Sequence, residues 1–91
     1  MKVHLSESGG QATLQVCGRL AEAYVSELEK CWSEARIRHS GRRMSVDLRG
    51  VTFIDQAGES LLRSMHREGA RLLASGLRNQ EVVNQITGGV Q

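Results

Sequence analysis

The chain has 91 residues, no proline, two cysteines and one residue each of Trp, Tyr and Phe, with 40% hydrophobic and 24% charged residues. That length suits one domain with one modest core, and the composition is neither disordered nor fibrous. Twelve Lys+Arg against ten Asp+Glu leave a net charge of +2, too weak a bias to imply nucleic acid.

No apolar run approaches the roughly 20 residues that a membrane-spanning helix needs. The opening MKVHLSESGG lacks the apolar stretch of a secretory signal, so the cytoplasm is the expected compartment. Cys17 and Cys31 are then expected as free thiols. Without a CxxC pair or a histidine at ligand spacing, zinc is not expected.

Val3-His4-Leu5 fits a first strand, Ser8-Gly9-Gly10 a turn, and the alternation of Ala12 to Cys17 a second, half-buried strand. Together they predict a hairpin ending at Gly18. From Leu20 to about Arg38 the spacing changes. Ala21, Tyr24/Val25, Leu28, Cys31/Trp32 and Ala35 recur at steps of three and four, the mark of a helix with one apolar face. Ser40-Gly41 ends it. Met44 to Leu48 predicts a short strand with Asp47 near its end, and Gly50 to Ile54 a continuation or a loop.

Asp55 is placed to cap a second helix, accepting the free N–H groups of its first turn. Gly58, Leu61/Leu62 and Met65 form the apolar stripe, and Gly69 closes it. Ala70 to Ser75 predicts a further strand. After Gly76, Asn79 is placed to cap a last helix bearing Val82, Val83 and Ile86, with Gly88-Gly89 fraying its end. The order is β-β-α-β-α-β-α over residues 1–91. It implies an α/β fold: a four-stranded mixed sheet, antiparallel in the hairpin and parallel elsewhere, with three helices.

Within this order, Val46-Asp47-Leu48-Arg49-Gly50-Val51-Thr52-Phe53-Ile54-Asp55-Gln56-Ala57-Gly58 resembles the signature of the STAS domain. That family includes bacterial anti-sigma-factor antagonists and the cytoplasmic domains of sulfate transporters. Its pattern is a strand ending Asp-Leu-x-Gly-Val, an aromatic or apolar pair, and Asp-Ser-Ser/Thr-Gly opening a helix. The resemblance covers roughly residues 2–87 and implies helices mainly on one face of the sheet.

In the family's regulatory members a partner kinase phosphorylates the Ser or Thr before the glycine. Here that position is Ala57, preceded by Gln56, and neither has a hydroxyl. A phosphate adds about −1.5 to −2 charges, enough to release a partner from a desolvated surface without unfolding the domain. The resemblance therefore implies a docking module fixed in its unmodified form. Ser60, one turn further on, does not match the phosphorylated position.

The implied contact surface is Asp55, Gln56, Ala57, Gly58 and Glu59, with Arg19 and Leu20 nearby. The implied partner is a kinase-like anti-sigma factor. The alternative is the ATPase of an ABC-type lipid transporter, because STAS subunits of that kind often read Asp-Thr-Ala-Gly. Small-ligand binding is a third reading. There is no nucleophile-base set, GxSxG, HExxH or Walker-type loop, so the expectation is a binding protein without a cofactor.

Three further features have plain readings. Arg36, Arg38, Arg42 and Arg43, with His39 between, form the densest positive patch. Such a patch fits a solvated helix end, an acidic partner or a lipid headgroup, and it lacks the interleaved aromatics that stack nucleic-acid bases. Trp32 fits the core or its rim. His4, His39 and His66 are expected as isolated surface or boundary residues.

Overall fold

The strands lie across the sheet in the order the chain makes them: β1 (Lys2–Ser8), β2 (Gln11–Leu20), β3 (Arg43–Ile54) and β4 (Arg71–Leu73). The computed structural model describes residues 1–88, so the expected fraying at Gly89 lies outside the described residues. β1 and β2 pair antiparallel, while β2–β3 and β3–β4 pair parallel. Helices α1 (Ala23–Arg38) and α2 (Gln56–Arg67) are the crossovers, and α3 (Leu77–Thr87) follows β4. Right-handed crossovers that always step in one direction bring their helices to the same face.

One apolar cluster results, joining Leu14, Val16, Val46 and Leu48 of the sheet to Leu28 and Trp32 of α1, Leu61, Leu62 and Met65 of α2, and Val83 and Ile86 of α3. Leu14, Leu20, Leu28, Leu48, Leu62 and Met65 are essentially inaccessible to solvent. Each contributes about 1.5–3 kcal/mol by leaving water. On the other face the exposed side chains of β1 and β2 are Lys2, His4, Ser6, Ser8, Gln11, Gln15 and Cys17. Among the described residues no helix is long and apolar enough to cross a membrane.

The hairpin turn uses Gly9 (φ 56°) and Gly10 (φ 85°), the two positive φ values that a two-residue primed turn requires. Pairing of β1 with β2 stops at Lys2 opposite Cys17, but β2 runs on to Leu20 alongside β3. Helix α1 accordingly begins at Ala23, three residues later than its apolar spacing suggests, because Leu20 is buried as the last residue of a strand.

Residues 50–54 are strand, not loop. Asp47–Gly50 stands opposite Gln15–Cys17, and Val51–Phe53 opposite Gly18–Arg19, so β3 carries an extra residue at each place. Such bulges shift the inward-facing phase from Met44, Val46 and Leu48 to Val51, which hides the strand's alternation.

The last strand is shorter than its apolar run. Only Arg71–Leu73 pairs, and Ala70, Ala74 and Ser75 lie outside it. Beyond it, side chains satisfy the carbonyls of β3: Ser75 Oγ donates to Arg49 O (3.3 Å) and Asn79 Nδ2 to Val51 O (2.8 Å). This corrects the expectation for Asn79. It sits buried inside α3, whose cap is Gly76, because the unpaired strand carbonyl takes its amide. Helix α2 does close at Gly69 (φ 101°), with Gly69 N–H donating to His66 O and Ala70 N–H to Met65 O.

Candidate functional site

At the end of the sheet where β2 and β3 finish, helices α1 and α2 start, and Asp55 joins the four elements. Its backbone N–H donates to Leu20 O (3.1 Å). Its carboxylate accepts the Gly58 N–H at Oδ1 (2.7 Å) and the Glu22 N–H at Oδ2 (2.9 Å). The expected cap of α2 is therefore present, and the same side chain also fixes the residue that precedes α1. These backbone donors, Gly58 first and then Glu22, hold the Asp55 carboxyl below the usual carboxylate range, helped by the Arg19 charge.

Glu22 has φ 59° and ψ −128°, a left-handed backbone that a side chain disfavours. Asp55 grips that strained link directly. Sequence reasoning misses Glu22, because a non-glycine residue with positive φ leaves no pattern in the chain. It also passes over Phe53, which is half-exposed beneath Arg19, whose guanidinium carbon lies 4.8 Å from the ring centroid.

The seven expected contact residues gather at this place but do not all reach the surface. Arg19, Gln56 and Ala57 are exposed, and Asp55 and Glu59 are partly so. Glu59 accepts from Arg63 across one turn (2.7 Å). Leu20 and Gly58 are buried. A Cβ on residue 58 would stand 2.7 Å from Leu20 O, so Gly58 lets α2 sit against the strand end. These two residues shape the surface from beneath. The outer layer is the Arg19–Phe53 stack with Gln56 and Ala57, and Ala57 occupies the second position of α2.

Asp47, further back on β3, has a local task. It accepts the Arg49 backbone N–H and both arms of the Arg49 guanidinium, each at 3.0 Å. Those bonds lower its carboxyl from the ordinary value against the opposing effect of burial.

The positive patch lies at the other end of β3. Arg36 pairs with Glu68 (3.0 Å) and Arg42 with Glu7 (3.3 Å). Trp32 is a buried residue whose Nε1–H donates to the same Glu68 (2.8 Å). His39 is not at the surface: it is 6% exposed, with Nε2 3.3 Å from Glu7 Oε2. His4 is exposed and His66 is at the boundary. Cys17 and Cys31 are both free.

Neither a protein-family model nor a curated protein sequence matches the chain. Solved structures do. The anti-sigma factor antagonist SpoIIAA in its unphosphorylated form superposes with a TM-score of 0.62 at 14% identity, over 96% of this chain and 99% of that one. The crystal structure of Mglu superposes with a TM-score of 0.61 at 18% identity, over 80% of this chain. This chain spans only 19% of that larger one. The chain therefore has a STAS-like fold, of the kind found in an anti-sigma factor antagonist.

Proposed function

We propose that this protein is a non-catalytic docking module of the cytoplasm, similar to an anti-sigma-factor antagonist, that binds its partner through the start of α2. Arg19, Gln56, Ala57 and the accessible parts of Asp55 and Glu59 make the contact, on a scaffold fixed by Asp55, Leu20 and Gly58. The partner is a kinase-like anti-sigma factor. Because residue 57 is alanine, the module binds without being released by phosphorylation there.

The observation that carries this reading is the exposed Ala57 on a helix start clasped to its neighbours by Asp55. A phosphate at this place would sit at the positive end of a helix dipole and disturb the domain little, while placing about two negative charges against a partner. A methyl group removes that possibility and keeps the surface neutral. Incubation with candidate anti-sigma kinases and labelled ATP tests the reading. It predicts a stable complex that ATP does not dissociate and no label on Ser60, the hydroxyl nearest in sequence to Ala57; no complex, or label on Ser60 with release of the partner, defeats it.

A second reading shares the same surface. The Ala57-Gly58 pair resembles STAS subunits of lipid transporters, for which the partner is the ATPase of an ABC-type assembly. Capture of that ATPase in place of an anti-sigma kinase, lost on Ala57→Asp, decides for transport.

A further inference from the structure

The end of the sheet where β3 and β4 begin collects arginine. Arg42 and Arg43 lead into β3, Arg71 opens β4, and Arg36 lies in the last turn of α1. Arg36 and Arg42 are paired with Glu68 and Glu7. Arg43 and Arg71 are exposed and have no ion pair among the described residues.

Two adjoining hollows open among these side chains. One, of about 400 Å³, is lined by Trp32, Arg36, Arg42, Arg43, Met44 and Glu68. The other, of about 250 Å³, shares Arg43 and Met44 and adds Ser45 and Arg71. In the sheet register Ser45 stands beside Arg71, so a hydroxyl residue accompanies the two unpaired guanidinium groups. The carboxylate that lines the larger hollow is already engaged, since Glu68 is held by both Arg36 and the Trp32 indole.

Like charges gathered around a concave space repel one another unless an anion lies among them. A guanidinium presents a planar fork of N–H donors that matches phosphate oxygens in pairs. The larger hollow has the volume of a small-molecule site and is half open to solvent, as access for a soluble ligand requires. We infer that the two adjoining hollows together bind a small soluble anion bearing a phosphate group, held where they meet by Arg43, with Arg71 reaching it from the smaller hollow and Arg36 and Arg42 from the larger. The site lies at the opposite end of β3 from the docking surface and is independent of it.

Trp32, the single tryptophan of the chain, lines the hollow and reports on it. Titrating the full chain with pyrophosphate at constant ionic strength should change Trp32 fluorescence saturably and shift the amide resonances of residues 42–44 and 71. Arg43→Gln and Arg71→Gln should each weaken binding at least about tenfold. Arg38→Gln, outside both hollows, should leave binding unchanged. Thermal melts matching wild type establish that the variants are folded. Three results overturn the inference: no saturable response, equal weakening by Arg38→Gln, or binding only to phosphatidylglycerol vesicles and not to pyrophosphate.

Discussion

Replacing Gly58 by alanine tests how α2 is seated. The new methyl would stand 2.7 Å from Leu20 O, 3.0 Å from Leu20 Cγ and 3.2 Å from Ile54 Cγ2. The first neighbour is backbone, already bound to the Asp55 N–H, and cannot swing aside as a flexible side-chain end would. Leu20 is fully buried, so its side chain has nowhere to retreat. Overpacking of this kind costs about 1–3 kcal/mol, and alanine returns roughly 0.5–1 kcal/mol in a helix by restricting the unfolded chain. The net expectation is a loss of about 1–2 kcal/mol, read as a lower urea midpoint at unchanged slope. In a chain of this size that corresponds to a fall in melting temperature of about 4–8 °C for each kcal/mol. Amide shifts should concentrate at Glu22 and Asp55, which the displaced helix start would pull apart. Stability equal to or above wild type would refute the contact at residue 58 as the seat of the helix.

Other changes probe the remaining parts of the scaffold. Glu22→Gly should raise stability by about 1 kcal/mol, because glycine accepts φ 59° and the strain exceeds the entropy that glycine adds to the unfolded chain; a lower denaturation midpoint would contradict this. Asn79→Ala should lower stability by about 1–3 kcal/mol by leaving the Val51 carbonyl buried and unpaired, again measured by urea unfolding, and a neutral result would mean that water replaces the amide. Asp47 and Asp55 have carboxyls held below their ordinary value in the folded protein, so their stabilisation is complete above the unfolded range of about 4. It is lost as pH falls through the folded values, and Asp47→Asn should flatten the fall in urea midpoint between neutral and acidic pH.

The order of elements is readable because local chemistry agrees with the fold. Glycine pairs turn, Asp55 caps, Gly69 terminates, and the apolar spacing of α2 matches what the structure buries. What escapes reading depends on partners distant in the chain. Asn79 has the chemistry of a cap, yet its partner is Val51, and only the early end of β4 makes that carbonyl available. The strand nature of residues 50–54 is masked by bulges that exist only in register with β2. His39 looks like a surface residue until the hairpin brings Glu7 beside it. At the candidate site the sequence identifies the neighbourhood. It does not separate residues that face solvent, such as Ala57, from those that build the floor, Leu20 and Gly58, because that division arises where the strand end meets the helix.

The docking role of this helix start is tested most directly by isothermal titration of the captured partner against wild type and Ala57→Asp. The substitution places one negative charge on an exposed position whose backbone needs no rearrangement. A loss of affinity of about tenfold or more, with the melting temperature preserved, is expected from a charge desolvated at an interface. Unchanged affinity would place the contact elsewhere on the molecule and contradict the account.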